Sequence, residues 1–168
     1  MSEMVLALDL GTKCGWAFGG NTTPHWGRWD LSLKRGEGGG MRFERFRLQL
    51  TVKLDTLRPQ RVCYELVARH AGTDAAHVYG ALQGILQMEC ERRSIPYEGV
   101  GPGQWKKHLG IKGNLGEKEY HPLVAARVES LVATPDEAAA IGILLWGLEH
   151  LTVEPVVQPR KKRKAEQP

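Results

Sequence analysis

The stretch Val5-Leu-Ala-Leu-Asp-Leu-Gly-Thr-Lys-Cys-Gly15 decides the fold. A short run of strand formers carries one carboxylate, Asp9, and then breaks into Gly11 and Gly15. Side chains alternate along a strand, so Val5, Ala7 and Asp9 share one face and Leu6, Leu8 and Leu10 the other. An acid in a run that reads as buried on both faces is costly unless it is paired or holds a cation. Gly11 tolerates positive φ and lets a ligand approach the backbone closely. Asp9 is therefore either a turn-capping residue or a metal-binding or phosphate-facing acid at the carboxyl end of a central strand.

Working outward, residues 16–19 and 25–31 read as two further short strands, with Asn21-Thr-Thr-Pro24 as the turn between them. Three strands on short turns make an antiparallel meander. Its Trp16, Trp26 and Trp29 read as half-buried packing residues, with a nucleic-acid stacking platform as the alternative. Gly36 to Gly40 is a hinge into a helix whose Phe43, Phe46, Leu50, Leu54 and Leu57 form one apolar stripe. The opposite face carries Arg42, Arg45, Arg47 and Lys53. Residues 61–67, Arg-Val-Cys-Tyr-Glu-Leu-Val, repeat the opening pattern: an apolar strand broken by one acid, Glu65. A single cation shared by Asp9 and Glu65 explains both acids at once.

Residues 73–93 read as a long helix with Val78, Leu82, Ile85 and Met88 on one side. Gly80 and Gly84 lie on one narrow face of it, at some cost to helix stability, which suggests close approach of another helix. A strand at 96–100 and a glycine-punctuated loop at 110–116 precede a helix over 117–132 that Pro122 interrupts early. Thr134-Pro135-Asp136-Glu137 reads as a helix start, with Thr134 at the N-cap and Glu137 completing a capping box. The run from Ala138 to Leu148 is apolar nearly all round, so that helix is expected to be buried between layers.

At 168 residues the chain is most simply one domain, expected over residues 1–151, followed by a disordered basic tail over 152–168. Within it, residues 159–168 hold five cations, Arg160, Lys161, Lys162, Arg163 and Lys164, against Glu166, which accounts for the entire formal charge of +4. A neutral body with a cationic arm suits a polyanionic partner, or a merely solvated end. Cys14, Cys63 and Cys90 are widely spaced and fit buried free thiols in a reducing compartment. No apolar run reaches membrane-spanning length and no secretion signal is read, so the expected location is the cytoplasm of a bacterial or phage-infected cell, with no membrane partner.

The order of three meandering strands, helix, strand, helix, strand and three helices resembles the ribonuclease H-like fold: α/β, a five-stranded mixed sheet flanked by helices. Asp-x-Gly-Thr also occurs in the phosphate loop of the actin–hexokinase ATPases, but those need two such folds. The runs LALDLGTKCGWAF, VCYELV, HAGTDAAHVYGALQGIL, GPGQWKKHLGIKGN and DEAAAIGILLWGL together resemble RuvC-type Holliday junction resolvases, especially the short phage-encoded ones, over residues 4 to about 150. The resemblance implies a metal-dependent, structure-selective endonuclease that resolves four-way junctions by phosphodiester hydrolysis, as a homodimer. It carries Asp9, Glu65 and Asp136 onto the family's metal-binding acids, with two Mg²⁺ or Mn²⁺ ions per site.

Two positions depart from the pattern. The family's second C-terminal acid falls on Ala139, so Glu137 either supplies a fourth carboxylate or only caps the helix. The aromatic that some members carry three residues after the strand Glu is Ala68 here, and Arg69 or His70 is the candidate substitute. Lys106, Lys107, Lys112 and Lys118 are expected to engage phosphates, as are the five tail cations. The alternatives are a YqgF-like RNA-processing nuclease and a non-catalytic nucleic-acid-binding domain.

Overall fold

β1 (Val5–Asp9) runs through the middle of a five-stranded sheet of order β3-β2-β1-β4-β5, which is why Val5, Leu6, Ala7 and Leu8 are all fully buried. The computed structural model describes residues 3–68 and 70–150. Arg69 and the basic tail lie outside the described residues. β2 (Lys13–Gly19) and β3 (His25–Asp30) continue from β1 as an antiparallel meander. β4 (Arg61–Glu65) and β5 (Tyr97–Val100) add in parallel on the other side. The five-stranded mixed sheet and its helices are those of the ribonuclease H-like order read from the sequence.

Alternation along the strands divides the core in two. Leu6, Leu8, Cys14, Phe18, Val62 and Tyr64 face α1 (Met41–Leu57) and α2 (Thr73–Glu91). Val5, Ala7, Ala17 and Cys63 face α5 (Pro135–His150), which packs most closely on β1 and β2. α3 (Pro102–His108) and α4 (Glu117–Val128) close that second layer around α5. Ala138 to Leu144 are all buried, as an all-round apolar helix between layers requires. Among the described residues no helix is long and apolar enough to cross a membrane.

Several local expectations shift. α4 ends at Val128 rather than 132, because Glu129 takes a left-handed φ of 50°. Pro122 lies inside α4 without ending it, at the cost of one backbone hydrogen bond. On α2 the buried side is Tyr79, Leu82, Leu86 and Cys90, and Met88 faces outward with 40% of its surface exposed. The buried acid of that helix, Glu89, is satisfied by Arg92 at 3.3 Å and Arg93 at 2.6 Å. The three tryptophans of the meander are packing residues. Trp29 is buried edge-on to Phe46, Trp26 packs on the α5 side, and Trp16 lies beneath the Lys53 ammonium at 3.4 Å. Cys14, Cys63 and Cys90 are free and buried, and burial pushes the Cys63 thiol up to about 12.

Candidate active site

Strand register sets four residues in a row across the α5 face of the sheet. Asp9 at the end of β1 pairs with Gly15 of β2, and Gly15 pairs with Arg28 of β3. On the other side of β1, Glu65 ends β4 one step beyond the Leu8–Tyr64 pair. The row thus reads Glu65, Asp9, Gly15, Arg28, at the carboxyl ends of the two parallel strands β1 and β4.

Asp136 joins the row from above. A Cβ built on Gly15 would fall inside the contact distance of the Asp136 carbonyl and 3.1 Å from the Glu137 nitrogen. The missing side chain at Gly15 is therefore what lets the first turn of α5 settle next to Asp9. That turn is held by a capping box. Glu137 Oε2 accepts from the Ala133 and Thr134 backbone amides at 2.8 and 3.0 Å, and the Glu137 amide donates to Thr134 Oγ1 at 3.3 Å. Of the two roles open to Glu137, fourth carboxylate or cap, these bonds are those of the cap. Ala139 is buried in the α5 core and offers no donor.

Glu65 is oriented by residues that the sequence reading did not single out. The Trp105 indole N–H donates to Glu65 Oε1 at 3.0 Å. Trp105 is fixed in turn by Gly142 of α5, where an added Cβ would lie 3.0 Å from its Cδ2, and by Tyr120, edge-on at a centroid distance of 5.3 Å. The Tyr120 hydroxyl donates to the Pro135 carbonyl at 3.4 Å, so one α4 residue touches the supports of both Glu65 and Asp136. The Tyr79 hydroxyl donates to the Glu65 carbonyl at 2.7 Å and accepts from the Val67 amide at 3.3 Å, pinning the chain as it leaves β4. A tryptophan in a short helix carries no sequence signal for this role.

The electrostatics are those of crowded acids. Burial, followed by the charges of Glu65, Asp136 and Glu117, holds the Asp9 carboxyl well above its ordinary range. Among the described residues no donor hydrogen-bonds its side chain. Glu65 is likewise raised by burial, against the Trp105 hydrogen bond and the Lys106 charge, which pull it down. Glu117, at the start of α4, adds a fourth negative charge that the sequence reading missed.

Hard carboxylate oxygens in a group that repels its own ionisation fit a hard divalent cation such as Mg²⁺. Yet no set of three or more His, Cys, Asp or Glu side chains among the described residues is arranged to hold a metal ion. Two of the three acids are engaged elsewhere, Glu65 by Trp105 and Asp136 by Arg28 Nη1 at 3.5 Å. Binding a cation requires these side chains to turn.

The expected phosphate contacts are placed unequally. Lys107, Lys112 and Lys118 are exposed. Lys106 is 9% exposed, its ammonium donating to the Leu115 carbonyl at 2.9 Å and lying 4.9 Å from the Tyr120 ring centre. It clasps the loop before α4 and does not share the surface of the other three. His70 is half-buried, its ring 4.7 Å from that of Tyr79, beside a hollow of about 290 Å³ that Gly11, Thr12, Arg42 and Asp74 also line.

A meander leading into parallel β4 and β5, with acids at the ends of β1 and β4 and at the start of α5, defines a ribonuclease H-like fold. The chain is similar in structure to Thermus thermophilus RuvC in complex with a Holliday junction substrate, at TM-score 0.71 and 20% identity, over 86% of this chain and 92% of that one. A second Thermus thermophilus RuvC structure gives 0.65 and 20%, over 85% and 92%. The yeast mitochondrial Holliday junction resolvase Ydc2 gives 0.59 and 15%, over 86% and 79%. No protein-family model matches the sequence, and no curated protein matches it.

Proposed function

We propose that this protein is a metal-dependent endonuclease that resolves four-way DNA junctions. The observation that carries the reading is the convergence of Asp9, Glu65 and Asp136 at one end of a RuvC-like sheet, on three elements that register and packing hold together. Asp9, Glu65 and Asp136 would hold two Mg²⁺ or Mn²⁺ ions. Bound there, such ions lower the pKa of an attacking water and offset charge on the leaving 3′-oxygen. Without a cation Trp105 holds the Glu65 side chain, Tyr79 pins the Glu65 backbone at the end of β4, and the Glu137 cap keeps Asp136 beside Asp9. Lys107, Lys112, Lys118 and the tail cations from Arg160 to Lys164 would track phosphates without reading bases. His70 follows the end of β4, where a junction strand would pass.

Paired incision needs two sites, and a twofold homodimer supplies them. What supports a dimer is the exposed face of α2. A Cβ added at Gly80 or Gly84 meets nothing within 4 Å, so no packing in the described chain accounts for these glycines. The outward-facing Met88 continues the same stripe.

The test is cleavage of a four-way junction against linear duplex and single-stranded RNA, with and without Mg²⁺. Junction-selective, chelator-sensitive incision is expected. Preferential RNA cleavage would point to the YqgF-like reading, and junction binding without cleavage to a non-catalytic domain.

A further inference from the structure

The row Glu65, Asp9, Gly15 ends on a cation. Arg28 stands on the same face of the sheet, and across the gap left by Gly15 its Nη1 lies 3.5 Å from Asp136 Oδ2. The neighbouring charges on that face, Lys13 and Asp30, pair with one another. Asp136 is thus the carboxylate that Arg28 meets among the described residues. The contact is long for a charge-assisted hydrogen bond, and the side chains are 37% and 26% exposed. An ion pair so open to solvent is weak and exchangeable.

A guanidinium in this position serves two partners in turn. It offsets Asp136 in a cluster whose acids repel one another. When Asp136 turns toward a cation, the planar fork is left at the edge of the site, where it matches two phosphate oxygens. Resting on the nuclease reading above, we propose that Arg28 is a phosphate-positioning residue held in reserve on Asp136, released to the DNA backbone when a divalent cation takes that carboxylate. Metal and DNA then favour the same released state, and each strengthens the other's binding by the same factor.

The experiment uses the full chain. Mn²⁺ binding is titrated calorimetrically without DNA, and junction binding is measured in Ca²⁺ and in chelator, for wild type, Arg28→Gln and Arg28→Lys. Arg28→Gln is expected to bind Mn²⁺ more tightly, by up to about fivefold, because the competing cation is gone. Its junction affinity in Ca²⁺ falls, with the slope of log K against log salt reduced by about 0.9, one phosphate contact. Arg28→Lys keeps wild-type Mn²⁺ affinity but regains only part of the junction affinity, since an ammonium lacks the fork. Unchanged or weaker Mn²⁺ binding by Arg28→Gln, or an unchanged salt slope, overturns the proposal and makes Arg28 a strut between β3 and α5. A wild type that takes up no Mn²⁺ overturns the metal-site reading itself, an outcome read before any variant is compared.

Discussion

The carbonyl of Asp136 occupies the space that a side chain at Gly15 would need. Because Gly15 is the register partner of Asp9, this one close approach sets the start of α5 beside the end of β1. Gly15→Ala is therefore expected to act on the site as well as on stability. Overpacking costs about 1–3 kcal/mol, or roughly 2–4 °C of Tm per kcal/mol in a domain of this size. Gly19→Ala is the control, since its Cβ would meet Leu144 Cδ2 at 3.2 Å and Pro24 at 3.6 Å, away from the acids. Calorimetric melting with a junction-cleavage assay should show both variants less stable and only Gly15→Ala inactive. Wild-type cleavage by Gly15→Ala would break the link.

Asp9→Asn should abolish cleavage and stabilise the metal-free protein near neutral pH. The Asp9 carboxyl is raised in the folded state, chiefly by burial and then by Glu65. Its stabilising contribution is full below the unfolded value near 3.8 and is lost as pH rises through the raised folded value. In chelator, the variant should therefore melt above wild type at pH 7, and the gap should close below about pH 4. Added Mg²⁺ should narrow the gap at pH 7. Equal melting temperatures at pH 7 in chelator would show that Asp9 is not under this strain.

The capping bonds of Glu137 separate its two possible roles. Glu137→Ala removes the acceptor for two amides and should cost about 1 kcal/mol. Glu137→Gln keeps an acceptor while removing the charge, so it should retain both melting temperature and cleavage. A Glu137→Gln protein that folds normally, binds junctions and does not cut would return Glu137 to the metal site.

Trp105→Phe keeps an aromatic ring against Tyr120 but deletes the donor to Glu65. Losing that hydrogen bond should cost about 1–3 kcal/mol and push the Glu65 carboxyl further up, since Trp105 now lowers it. The acid limb of the pH–rate profile should shift to higher pH. An unmoved limb would show that Glu65 protonation does not limit cleavage.

Gly84 is exposed and in open space within one chain. If α2 faces a second copy, Gly84→Leu should give a folded monomer that no longer makes paired incisions. Gly84→Ala, by helix propensity, should raise thermal stability, by about 1 kcal/mol. Light scattering of the wild type at micromolar concentration comes first. A monomer there would remove the dimer reading.

The sheet was legible because alternation and apolar runs are local properties. Val5 to Leu10 announce a central strand by their composition, and Glu65 repeats the pattern, so both acids could be placed at strand ends before any contact was known. The start of α5 was legible for the same reason, since a capping box spans only four residues. Trp105, Arg28 and Glu117 were not. Each reaches the site from an element remote in sequence, and nothing in its own neighbourhood encodes the partner. Met88 was assigned to the wrong side of α2 because a 3.6-residue period admits adjacent stripes, and only packing against the sheet selects one. Lys106 reads in sequence like Lys107 beside it, but the fold turns one to the Leu115 carbonyl and the other to solvent. Local pattern determined which elements form and where acids interrupt them. Which side chains answer those acids was decided by tertiary contact, because hydrogen bonds and close approaches depend on positions in space that no short window of sequence contains.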